Sequence, residues 1–221
     1  MELRSLQDQV STQLLGTRGV RELMQGRIST QQYQAYLQDV YCYALHSSVV
    51  IGVAGSRMVH THPSLAEYLF RHAGEELGHD LWVASDLRDL GMSEGAIKCI
   101  QPSVPCARMI ALEYYYAANA NPVGLFGWMF VLESLGGKVG GGIAGAIDKA
   151  LALSGKATYF LRGHADADAH HAEDLHSVIS ANVVGTSDES VFLEMFKQSS
   201  ELYCAILDSA YARPASPATN P

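Results

Sequence analysis

Across all 221 residues the apolar positions recur with the three-to-four spacing of helices, and no segment sustains a two-residue alternation between hairpin turns. A chain patterned this way has no strands to build with, so the expected fold is an all-α bundle of about seven helices. Ser29, with Gln32 three residues later, forms a capping box for the first long helix, which runs to about Val59. His62-Pro63-Ser64 breaks the chain and caps a second helix that reaches Leu90, where Gly91 stops it. A third helix runs from about Ala107 to Ala118, a fourth opens at Asn121-Pro122, another follows Gly155, and the last spans residues 189 to 211. The run GGKVGGGIAG lacks G-K-[ST] and follows no strand; it reads as a helix break that lets backbones pack closely, not as a phosphate loop.

With 48% hydrophobic and 17% charged residues, a chain of this length buries one sizeable core. One domain over residues 1–212 with a disordered tail, RPASPATNP, at 213–221 is the simplest organisation. A net charge of -8 and no cluster of Lys or Arg argue against nucleic acid or anionic membrane as partner, since both need a positive surface. A small-molecule substrate is expected instead. The start MELRSLQDQV has neither a basic nor an apolar leader region and no stretch is apolar enough to span a bilayer, which points to the cytoplasm. Cys42, Cys99, Cys106 and Cys204 contain no C-x-x-C pair and are expected to be reduced core residues.

Against this background the charged residues on core faces stand out. In HADADAHHAEDLH, residues 164 to 176, a turn of about 100° per residue places His164, Asp168 and His171 within an arc of about 60°. That stripe continues to Leu161, Leu175 and Val178, whereas the rival stripe Asp166, His170 and Glu173 continues to Arg162, Ser177 and Ser180. The first therefore faces the core and the second faces water. In RHAGEELGHDLW, Leu65, Leu69, His72, Glu76, His79, Val83 and Leu90 share one stripe, with Glu75 and Asp80 pointing away. Both segments spell H-x3-[DE]-x2-H, of which composition alone predicts roughly 0.04 copies. Glu133 is the only charged residue between Glu113 and Lys138, in VGLFGWMFVLESLGG, a helix apolar nearly all round and so expected to be buried.

Carboxylates placed there cost several kcal/mol or more unless something positive compensates them. The candidates for metal ligation are Glu76, His79, Glu133, His164, Asp168 and His171, three carboxylates and three imidazoles. Structural zinc prefers four ligands, often with thiolate, and calcium avoids imidazole. Mixed O/N donors in this number suit two iron ions, or manganese. Two acid-x-x-His pairs are the arrangement that helical bundles use for a di-metal centre. With one carboxylate fewer than ferritin-like centres, the ferrous site is left about one charge positive, a deficit that a substrate carboxylate or bound oxygen species fills.

The set GEELGHDLW, VLESLGG and FLRGHADADAHHAEDL resembles the haem-oxygenase-like di-iron oxidases and oxygenases. The segment LMQGRISTQQYQAYLQDVYCYALHSS is similar to the opening of the wider superfamily, which includes thiaminase-II proteins and the oxidase of pyrroloquinoline quinone biosynthesis. The resemblance spans about residues 15 to 210 and implies that the same six residues hold two irons. Dioxygen is then the co-substrate, and a small amino acid, amine or fatty acid is oxidised by C-C or C-N cleavage or N-oxygenation. It also implies a homodimer and leaves room for an external electron donor. Other readings remain. A haem protein needs a proximal histidine in its first helix, yet the first histidine is His46; a thiaminase-like enzyme would use Cys106 or Cys42; a cofactor-independent oxidase would use the histidines as acids and bases; a non-catalytic helical interaction module would merely satisfy its inward polar groups. His72 ligates, orients a ligand, touches substrate or simply fills core. Trp128, Phe126 and Met129 wall a pocket or pack; Tyr114, Tyr115 and Tyr116 pack or are consumed by the chemistry; Arg108, Lys138 and Arg162 are candidates to meet a substrate carboxylate.

Overall fold

The structure, a computed structural model, describes residues 2–135 and 140–212, apart from the side chains of residues 165–170. Lys138 and the 213–221 tail therefore lie outside the described residues, as do the side chains of Asp166, Asp168 and His170. The helices are α1 (Leu3–Gly16), α2 (Arg18–Met24), α3 (Thr30–Met58), α4 (Pro63–Glu75), α5 (His79–Asp89) and α6 (Glu94–Lys98). They continue with α7 (Val104–Ala118), a 3-10 turn (Pro122–Gly124), α8 (Leu125–Leu135), α9 (Gly141–Leu151), α10 (Tyr159–Asn182) and α11 (Glu189–Ala212). No strand occurs among the described residues.

The expected all-α bundle forms, divided more finely than seven helices. Leu3, Val10, Leu14, Val20 and Leu23 bury the faces of α1 and α2, which precede the capping box. The segment expected as one helix up to Leu90 is two. Gly78 takes up φ +92°, a left-handed conformation open to glycine, and α5 starts afresh at His79.

The core gathers around α3, whose Ser29 side chain and Gln32 close the expected capping box. Tyr33, Leu37, Val40, Ala44, Ser47, Ile51, Ala54 and Met58 recur at alternating steps of four and three along it and are all buried. This helix packs against α4, α5, α7 and α11, while α8 lies against α10 and α11. A Cβ at Gly127 would run into the Phe192 carbonyl and the Phe196 amide, so glycine is what lets α8 and α11 touch backbone to backbone. By contrast, Gly142 and Gly145 of the expected close-packing run have open space around them, and the expected helix break falls on residues 136–139, outside the described residues.

Glu113 on α7 has no exposed surface, and neither carboxylate oxygen has a hydrogen-bond partner. Burial pushes its pKa well above the ordinary 4.5. A raised folded-state value means that this group costs stability increasingly as pH rises from 4.5 through that value, and nothing below it. Glu113→Met is therefore expected to stabilise the protein by about 1–3 kcal/mol at pH 8 and hardly at all at pH 4.5, read by urea unfolding at the two pH values.

Candidate metal centre

Three parts of the chain converge on one end of the bundle: the α4–α5 junction, the end of α8, and α10. Residues Glu76, Leu77 and Gly78 interrupt the helix, so Glu76 sits at the C-cap of α4 and His79 opens α5. From α8, where nearly every residue is buried, comes Glu133, only 7% exposed. On α10, Leu161 and Leu175 are buried as the stripe comparison predicts, Val178 is only half-buried with the neighbouring Ile179 buried instead, and Arg162, Glu173, Ser177 and Ser180 are exposed.

The donors fall into two groups of three. Ligand atoms of His72, Glu133 and His171 lie within 4.8 Å of one another, and so do those of Glu76, His79 and His164. The structure thus brings together five of the six expected ligands and adds His72, while the side chain of Asp168 lies outside the described residues. In the first group His72 Nε2 is 3.3 Å from Glu133 Oε1, and His171 Nδ1 is 3.9 Å from Glu133 Oε2. In the second, His79 Nδ1 is 3.2 Å from Glu76 Oε2. Two donors about 2.1 Å from a common ion, at tetrahedral or octahedral angles, stand about 3.0–3.4 Å apart, and the shorter of these spacings match. The buried His79 Nδ1 and Glu133 Oε2 also have no aligned hydrogen bond, although neighbours are close. Polar atoms converging without pairing fit a cation between them.

The acids and histidines also shift one another's pKa values. Burial alone would raise the Glu76 pKa, but His79, then His72 and His164, outweigh it and hold the carboxyl below its usual range. Burial lowers the His164 pKa, only partly offset by Glu76, a shift toward the neutral form that ligation needs. Burial would also lower His72, but Glu133, then Glu76 and Glu75, raise it above the ordinary value.

Two supports escaped the sequence reading. Asp86, with no exposed surface, accepts hydrogen bonds from the Tyr159 and Phe160 amides (3.0 and 2.9 Å) and so pins the start of α10 to α5. Its signal was available: like Glu133, it is an acid on a core face, three residues after Val83 and beside Leu87. Trp82 packs at a tilt on His79, with ring centroids 4.4 Å apart, and lies against Gly163, holding α5 against α10 beside the centre. Glu75 is exposed, as expected, yet its Oε2 lies 3.4 Å from His72 Nδ1 and 3.5 Å from His171 Nε2.

A cavity of about 140 Å3 is lined by Glu76, Glu133 and His164 of this cluster and also by Leu14 of α1 and Tyr211 of α11. It is also walled by Tyr36, Tyr43 and Tyr203, the Tyr36 and Tyr203 hydroxyls being 3.0 Å apart. Trp128 and Met129 line it, but Phe126 does not. Arg108 is exposed and Arg162 pairs with Asp148; neither reaches the cavity, and no Lys or Arg lines it among the described residues. Tyr114 meets His46 (3.0 Å), Tyr115 is 56% exposed and Tyr116 packs against Gly124, so all three lie away from the cavity. Cys42 and Cys106 are buried, with burial pushing the Cys42 thiol up to about 12 and Cys106 higher still; neither lines the cavity. No described helix is long and apolar enough to cross a membrane.

Residues 34–203 match the model of a family described as iron-containing redox enzymes. Among solved structures, the chain is similar to a domain of unknown function with a haem-oxygenase-like fold from Shewanella denitrificans, with 25% identity, a TM-score of 0.86, and 96% of this chain and 92% of that one covered. It is also similar in fold to a TenA homologue from Pseudomonas syringae (13% identity, TM-score 0.76, 94% and 90% covered). A third likeness is to haem oxygenase-1 from the cyanobacterium Synechocystis in complex with haem (12% identity, TM-score 0.69, 94% and 89% covered). No curated protein matches the chain.

Proposed function

Since the chain belongs to the iron-containing redox enzymes, with a haem-oxygenase-like fold, we propose that it is a non-haem di-iron oxidase or oxygenase that uses dioxygen to oxidise a small substrate. The observation that carries this is the split of the buried acids and histidines into two groups of ligand spacing beside an apolar cavity. Glu76, His79 and His164 hold one ion, Glu133 and His171 the other, and Asp168 joins them on the strength of its place in the α10 stripe. Two irons would supply the electrons that dioxygen needs, which zinc in such a site could not; manganese is the alternative metal.

The chain's own contribution is to bind, orient and exclude water. Tyrosine and apolar side chains along the cavity favour an unbranched or flat apolar portion of a substrate, and its amine or carboxylate end is then left beside the centre. An amino acid, an amine or a fatty acid meets that description, with C-C or C-N cleavage or N-oxygenation as the outcome. An external electron donor and a homodimer belong to the same reading. Haem gains no support from the geometry, because His46, the first histidine in the chain, is hydrogen-bonded to Tyr114 and does not line the cavity.

The test is anaerobic loading with ferrous iron, removal of free metal and colorimetric iron analysis, followed by oxygen-electrode measurements with candidate amines, amino acids and fatty acids. About two irons per chain and oxygen uptake stimulated by one substrate class are expected. Well under one iron per chain contradicts the proposal.

A further inference from the structure

The geometry points to His72 as a metal ligand, the counterpart of His164, and to Glu75 as the positioning carboxylate that aims it. This inference rests on the di-metal reading and adds to its six ligands.

The two copies of H-x3-[DE]-x2-H pair head to tail. His72, the first histidine of one copy, meets His171, the last of the other, with ring centroids 5.3 Å apart and planes at 79°. His164, the first of the second copy, meets His79, the last of the first, at 4.5 Å and 70°. Each edge-to-face pair is completed by one carboxylate, Glu133 for the first and Glu76 for the second. Exchanging the two motifs thus carries His164 onto His72 within the histidine pairs, although the carboxylate comes from the motif itself in one trio and from α8 in the other.

A ligating imidazole needs one nitrogen at the metal and the other donated to a partner that fixes its tautomer. His164 has this in Nδ1, 3.2 Å from the Phe160 carbonyl. For His72, 2% exposed, Nε2 faces Glu133 and Glu76 at 3.3 and 3.9 Å, and Nδ1 has Glu75 Oε2 at 3.4 Å. His72 Nδ1 makes no aligned hydrogen bond as it stands; in this assignment the exposed Glu75 side chain turns to accept from it. The same oxygen lies 3.5 Å from His171 Nε2, whose Nδ1 faces Glu133. One carboxylate oxygen therefore lies near the outer nitrogens of both histidines in this trio, while the inner nitrogens face Glu133. With Asp168 counted from the sequence, Glu75 also brings the carboxylates around the centre to four, enough to balance two divalent ions without a substrate carboxylate.

The test is titration of metal-free protein with cobalt(II), read as bound cobalt per chain and as visible d–d absorption, with the melting temperature of each metal-free variant as control. The parent is expected to bind about two ions, and His72→Ala to lose one of them. Glu75→Leu should weaken that same ion by about 10–100-fold, and Glu75→Gln, whose carbonyl still accepts from the rings, should restore most of the loss. His72→Gln provides a second reading if the alanine variant folds poorly, with the altered d–d spectrum as its readout. A parent that takes up no cobalt overturns the di-metal reading itself. A parent and variants that all bind two ions with one affinity and one spectrum overturn the assignment of His72 and Glu75 alone.

Discussion

Glu133→Ala protein, loaded with ferrous iron under anaerobic conditions, is expected to retain one iron per chain or fewer and to lose oxygen consumption. Glu133 is the sole carboxylate of its trio among the described residues and lies within 3.3 Å of His72 Nε2. Losing an outer-shell partner of a metal ligand costs about 10–100-fold in affinity, and losing the ligand itself should exceed that range. The fold should not suffer. Every residue of α8 but one is buried by apolar packing, and the variant removes a carboxylate from the interior, so the melting temperature of the metal-free variant should stay level or rise. Iron analysis and differential scanning calorimetry on the same preparations separate the two effects. Parental iron content in this variant would remove Glu133 from the centre.

Asp86→Ala is expected to destabilise the protein by about 3 kcal/mol, a fall of roughly 6–12 °C in melting temperature. The variant strands the part-buried Tyr159 and buried Phe160 amides at the start of α10, where each now donates to a carboxylate oxygen. Asp86→Asn, which keeps one acceptor oxygen, should fall between parent and alanine. The loss should reach the centre too, because His164 lies only four residues beyond Phe160 and relies on its carbonyl. Urea unfolding measures the first effect, and weaker cobalt binding at the His164 trio reports the second.

What the sequence made legible was local. The Ser29–Gln32 box, the limits of α11 and the inward stripe of α10 all depend on residues within a few turns of one another, where helical periodicity decides the outcome. The burial of Glu133 followed from the absence of any other charge on its helix. What escaped depends on contacts between distant segments. Glu75 is exposed, as its place off the stripe of α4 implies, yet its carboxylate reaches back to His72 and across to His171 on α10, a contact set by the approach of two distant segments. The head-to-tail pairing of the two motifs exists only once α4 and α5 lie against α10. The cavity tyrosines come from α3 and α11, and their individual sequence contexts are those of ordinary core residues.

The central claim, that these buried acids and histidines are arranged around a pair of cations, is tested most directly by anomalous X-ray scattering at the iron edge from crystals of iron-loaded protein. Two peaks are predicted, one within bonding distance of His72, Glu133 and His171 and the other of Glu76, His79 and His164. A single peak at the centre of a bound haem, or no peak at all between these side chains in iron-replete crystals, would contradict the account.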